Sequence, residues 1–145
     1  MRKSPNPPRG SATTPSLDLA RVLLVHGELA PRLALRTILQ AGGYFVDVAA
    51  SPSEAIVKLD TGQYELVLSD NNFDARDAGR NLLAYARVKD YRPATALITS
   101  YEPLWKRLPG RGHQVAIHTE NLPNLLGEIA DLIGLRACRR LRQAV

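Results

Sequence analysis

Four short apolar runs in this chain each end on residues able to do chemistry. Val22-Leu23-Leu24-Val25 runs into His26-Gly27-Glu28, and Leu66-Val67-Leu68 runs into Ser69-Asp70. Ala94 to Ile98 ends at Thr99-Ser100, and Val115-Ala116-Ile117 ends at His118. If those runs lie side by side, His26, Asp70 and His118 converge. An aspartate beside a protonated histidine stabilises both charged forms, which makes a pH-sensitive pair. Two imidazoles and a carboxylate also form a plausible transition-metal set. A hydrolase built on Ser69 or Ser100 with a nearby histidine is a third arrangement. It lacks the G-x-S-x-G elbow that exposes a nucleophilic serine.

The elements needed to position these residues are legible. A short continuous apolar run suits a strand buried on both faces. After Val25, Pro31 sits in a first helical turn, Leu35, Ile38 and Leu39 form a stripe, and Gly42-Gly43 stop it. Tyr44 to Val48 reads as a second strand. Ser51-Pro52-Ser53-Glu54 is a capping box opening a helix through Ala55, Ile56 and Leu59 to Gly62. A third helix carries Leu82, Leu83 and Ala86, and a short one is expected around Leu104 to Leu108. Leu122, Leu125, Leu126, Ile129 and Ile133 mark the last helix, with Gly134 read as its stop. Five strands alternating with five helices predict an α/β fold, a doubly wound five-stranded parallel sheet with helices on both faces. Right-handed crossovers favour the flavodoxin-like order 2-1-3-4-5, with its crevice at the carboxyl ends of strands one and three. Those ends are His26-Gly27 and Asp70.

Bulk composition removes several function classes. The chain has 145 residues, enough for one domain. Its single cysteine, Cys138, excludes an internal disulfide and a CxxC motif. No apolar run nears the roughly 18 residues of a membrane helix. The N-terminus lacks the apolar stretch of a secretory signal, so a cytoplasmic protein is expected. The net charge is +5, but residues 21–134 hold 12 basic and 13 acidic residues. The basicity sits in the ends, which argues against a nucleic-acid face on the domain. Residues 1–19 read as a flexible N-terminal arm, 20–134 as the domain, and 135–145 as a basic tail bearing Arg136, Arg139, Arg140 and Arg142.

From Arg21 to about Gly134 the chain resembles the receiver domain of bacterial two-component response regulators (CheY-like). The likeness rests on ARVLLVHGE, EAIVKLDTGQYELVLSD and ALITS, in that order and spacing. It implies that Asp70 is the nominal phosphoacceptor, that Thr99 binds phosphoryl oxygens, and that Asn72 lends a backbone carbonyl to Mg²⁺. The family's acidic pair falls on His26 and Gly27, leaving Glu28 as a neighbour. Its lysine falls on His118, Thr119 replaces a proline, and its aromatic switch falls on Val115. Mg²⁺ draws on carboxylates for its charge, so a metal held by Asp70 and Asn72 is expected to be weak and no cofactor is required. Phosphoryl transfer depends on positioning and charge neutralisation, so it is expected to be impaired.

The resemblance therefore implies a stand-alone atypical receiver, not an enzyme, acting in phosphorelay signalling through protein–protein contacts. Its partner would be a sensor kinase or a downstream target, with a homodimer compatible and a membrane excluded. Trp105 and Val115 mark the expected partner face. The alternative is a phosphate-independent ligand- or metal-sensing module using His26, Asp70 and His118.

Overall fold

The computed structural model describes residues 19–71, 73, 77–99, 116–118 and 122–144. The side chains of Thr99, Ala116, His118, Leu122 and Pro123, and those from Arg140 onward, lie outside that description. Chain order gives β1 (Arg21–Val25), α1 (Leu29–Ala41), β2 (Phe45–Ala49), α2 (Pro52–Thr61) and β3 (Leu66–Asp70). There follow α3 (Ala78–Arg87), β4 (Ala94–Thr99), β5 (Ala116–His118) and α4 (Leu122–Ala144). Four helices are thus present among the described residues. The expected short helix at Leu104–Leu108 lies outside them, as do Trp105 and Val115.

The strands form one parallel sheet in the order β2-β1-β3-β4-β5. Side chains alternate across it, as a period of two requires. Val22, Leu24, Leu66, Leu68, Ala96 and Ile98 face α1 and α4, meeting Leu35, Leu39, Leu125 and Ile129. Leu23, Val25, Val67 and Leu97 face the other way, onto Ala55 and Leu59 of α2 and Leu82, Leu83 and Ala86 of α3. Both faces being covered explains why the strands read as continuous apolar runs rather than alternating ones.

Local chemistry sets the boundaries. Gly42 caps α1, and Gly43 turns the chain into β2 at φ 98°, a conformation that favours glycine. At α2 the Ser51 side chain accepts from the Glu54 N–H (3.2 Å), and the Glu54 carboxylate accepts from the Ala50 N–H (2.9 Å). That is the reciprocal pattern of the expected capping box, shifted by one residue on the return bond. At the strand-start end of the sheet, the Tyr64 hydroxyl donates to Asp47 Oδ2 (2.7 Å), which also pairs with Arg21 (3.2 Å). Lys89 and the Tyr85 hydroxyl share Asp60 Oδ1, at 2.6 Å each, tying α3 to α2.

The expected end of the domain at Gly134 is corrected. α4 runs through Gly134 to Ala144, and Arg136 belongs to the fold rather than to a solvated tail. Arg136 is buried. It donates to the carbonyl oxygens of Tyr91 (2.6 Å) and Arg92 (3.0 Å) in the turn before β4. Glycine inside a helix costs only about 1 kcal/mol relative to alanine. Two charge-assisted hydrogen bonds from Arg136, two residues later, outweigh it.

Candidate functional site

The carboxyl ends of β1 and β3 are adjacent, with Val25 opposite Ser69 in the parallel register. The next residue on each strand is His26 and Asp70. His26 still belongs to the sheet, because its N–H donates to the Ala49 carbonyl (3.0 Å), and its own carbonyl accepts from Arg32 Nη1 (2.8 Å). Its ring is buried, with Nδ1 accepting the Glu28 N–H at 3.2 Å. A nitrogen that accepts a hydrogen bond carries no proton. The neutral ring therefore bears its proton on Nε2, which lies 3.9 Å from Asp70 Oδ2. The side chains are 10% and 16% exposed, so both groups are largely removed from solvent.

Glu28 is exposed and serves the site through its backbone, its N–H being held by the imidazole at the entry to α1. Gly27 places no side chain in the crevice. A Cβ there would sit 3.5 Å from the Phe73 ring, at ordinary van der Waals distance. The buried Ser69 hydroxyl donates to the Asp70 carbonyl (2.8 Å), so it is not aimed at a histidine. Ser100 lies outside the described residues.

On the far side of Asp70, the start of α3 comes very close. A Cβ on Gly79 would collide with the Asp70 carbonyl oxygen and lie 2.9 Å from the Cα and Oδ1 of Asn71. Asn71 Oδ1 accepts the Arg80 N–H (3.2 Å), satisfying one of the free donors of the first turn of α3. Asp77, just before that turn, takes a left-handed conformation (φ 57°). Gly79, Asn71, Phe73 and Arg32 are site-shaping residues that the sequence reading missed. The available signal for Gly79 was a glycine one turn before the first core leucine of its helix.

Thr99 and His118 are placed by backbone register alone. Asp70 pairs with Ile98, Ile98 with Ile117, and Thr99 with His118. Both therefore stand at the same end of the sheet as Asp70, one residue beyond its row. Asn72 lies outside the described residues. Among the described residues, no group of three histidine, cysteine, aspartate or glutamate side chains is placed to hold a metal ion.

Comparison with solved structures agrees with this fold. A CheY-like response regulator receiver domain from Methanospirillum hungatei superposes with a TM-score of 0.72 at 24% identity, over 84% of this chain and 99% of its own. The response regulator TrrA from Thermotoga maritima, solved in complex with Mg²⁺-BeF, gives 0.66 at 26% identity, over 79% and 99%. The chemotaxis protein CheY4 of Vibrio cholerae gives 0.68 at 23%, over 79% and 99%. This chain has the fold of a CheY-like response regulator receiver domain. No family model matches its sequence. No curated protein matches it either. The likeness to solved receiver domains is one of shape and topology. Among the described residues, no helix of this receiver fold is long and apolar enough to cross a membrane.

Proposed function

We propose that the chain is an atypical receiver module of two-component signalling, working as a non-enzymatic protein–protein contact element with Asp70 as its nominal phosphoacceptor. The observation that carries this reading is the His26–Asp70 contact at the strand ends. The crevice lies at the carboxyl ends of β1 and β3, and its described donors are one carboxylate and one imidazole. A hard divalent cation such as Mg²⁺ asks for several oxygen ligands in near-octahedral geometry. Gly27 offers no side chain, Glu28 turns outward, and a neutral His26 presents an N–H rather than a lone pair to Asp70. That donor set does not fit Mg²⁺, so we derive no phosphoryl-transfer step through it. Signalling would instead rest on which partner surface the domain offers, with a sensor kinase or a downstream target as the partner class. Trp105 and Val115 remain the proposed partner-facing positions, and Thr99 and His118 the nominal phosphoryl-binding ones.

The alternative, a metal- or ligand-sensing module using His26, Asp70 and His118, draws support from the register that brings all three to one end of the sheet. The Nε2–H tautomer of His26 weighs against it, since the ring's free lone pair is already engaged by Glu28.

Calorimetric titration separates the readings. The first expects weak or no Mg²⁺ binding to the native chain, and clear binding to His26→Asp/Gly27→Asp. The space beside Gly27 accepts a Cβ without a clash, so the double variant should fold. Tight Zn²⁺ or Ni²⁺ binding that His26→Ala and His118→Ala each abolish would establish the alternative. Tight Mg²⁺ binding by the native chain would sink the first reading.

A further inference from the structure

The loops that lead into β3 and β4 border a hollow at the opposite end of the sheet from Asp70. Its volume is about 370 Å³, within the range of small-molecule sites. Leu59 and Tyr91 line it and are buried. The Tyr91 hydroxyl donates to the Leu59 carbonyl (2.8 Å) and is satisfied there. Tyr85 and the exposed Val88 add aromatic and apolar surface.

The charged groups of the hollow favour a cation. Asp60, Lys89 and Asp90 line it together, so two carboxylates meet one ammonium. Helix C-termini carry partial negative charge, and α2 and α3 both end beside it. Lys89 shows the kind of group these walls suit. Its ammonium bonds Asp60 Oδ1 (2.6 Å) and lies over the Tyr85 ring, 5.3 Å from the centroid. It is a tethered cation held by a carboxylate and an aromatic face.

Lys89 does not use up the acceptors. It shares Oδ1 of Asp60 with the Tyr85 hydroxyl, and among the described residues Oδ2 has no partner. The side chains of Asp90 and Gln63, which also line the hollow, likewise make no hydrogen bond or ion pair among the described residues. No three ligating side chains among those residues are placed to hold a metal ion. A guanidinium suits the vacant acceptors. It is planar, forks onto carboxylate oxygens and stacks on aromatic rings. Its alkyl stem would cover Leu59 and Val88.

We propose that this hollow is a binding site for a guanidinium-bearing ligand, paired with Asp90 and the second oxygen of Asp60 and stacked on Tyr85 beside Lys89. The same chemistry serves a free alkylguanidine and an arginine side chain of another protein.

Amide NMR titration of the full chain tests this, with two probes. Agmatine stands for the free cation, and a capped tripeptide with a central arginine stands for the side chain. Saturable shifts should gather at Gly62, Gln63, Lys89 and Asp90. Asp90→Asn should raise Kd about tenfold, the scale of one charge-assisted hydrogen bond. Asp90 is exposed and makes no side-chain bond among the described residues, so this variant retains the fold. Lys89→Met should lower Kd, because it frees Asp60 from its tethered cation. The same tripeptide with citrulline, a neutral urea in place of the guanidinium, should not bind. Binding of agmatine alone assigns the site to a small cation, and binding of the arginine tripeptide assigns it to a protein side chain. No saturable shift with either probe would overturn the proposal. So would shifts gathered at His26 and Asp70 instead, or binding that neither Asp90→Asn nor Lys89→Met alters.

Discussion

Replacing Gly79 by alanine sets two effects of opposite sign against each other. Gly79 is the second residue of α3, where alanine gains at most about 1 kcal/mol of helix propensity. The added methyl group, however, would run into the Asp70 carbonyl and lie 2.9 Å from Asn71 Cα. Both obstacles are backbone at the end of a central strand, paired on both sides, so neither yields as a flexible side chain would. Overpacking of this kind costs about 1–3 kcal/mol, and backbone obstacles place it at the upper end. The net expectation is a loss of about 2 kcal/mol. For a domain of this size that lowers the midpoint of thermal unfolding by about 6–8 °C. Urea unfolding, followed by circular dichroism with an unchanged slope, reads the free energy directly. In the folded variant, amide shifts should concentrate at Asp70, Asn71 and Arg80. Equal or greater stability would refute the reasoning. It would mean that the start of α3 moves freely over the end of β3 and does not fix the geometry at Asp70.

Three further outcomes follow from the same contacts. Arg136→Ala leaves the Tyr91 and Arg92 carbonyls without their donors and should cost about 2–3 kcal/mol in urea unfolding, whereas a solvated tail arginine would cost nothing measurable. Tyr64→Phe removes the hydrogen bond to Asp47 and should cost about 1–2 kcal/mol. Burial, then the Asp47 carboxylate, raises the Tyr64 phenol above its ordinary value. Its stabilisation should be fully present below pH about 10 and lost as pH rises beyond that, which ultraviolet titration and alkaline melts of native and Tyr64→Phe chains can follow. The hydrogen bonds from Lys89 and Tyr85 hold the Asp60 carboxyl below the usual carboxylate range. Carbon-13 NMR should therefore show Asp60 ionised to lower pH than an ordinary aspartate. In Lys89→Met its midpoint should rise, and with it the pH at which that contribution is lost on acidification.

The strands and most of the first three helices were legible because their apolar runs and punctuation agree. The runs at Val22–Val25 and Leu66–Leu68 face helices on both sides, and Ser51-Pro52 and Gly42-Gly43 mark helix ends by local chemistry. Gly134 misled because a glycine signals a stop only when the backbone turns there. The bonds from Arg136 to a turn 44 and 45 residues earlier are tertiary and leave no local trace. At the site, strand-end spacing brought His26 beside Asp70, since parallel strands in register must end together. The shaping residues were not legible. Phe73 over Gly27 and Gly79 against Asp70 depend on how a loop and a helix return to the sheet. The proton position on His26 depends on a bond from Glu28, two residues away, that only the folded loop makes.

The most direct test of the central claim is intact-mass analysis after incubation with a small phosphodonor and Mg²⁺. The native chain, Asp70→Asn and His26→Asp/Gly27→Asp would be compared, each shown to be folded. The account predicts no phosphoryl gain on the native chain or on Asp70→Asn, and a gain of one phosphoryl group on the double variant. One phosphoryl group on the native chain, absent from Asp70→Asn, would contradict it and make the domain a working phosphorylation switch despite His26 and Gly27.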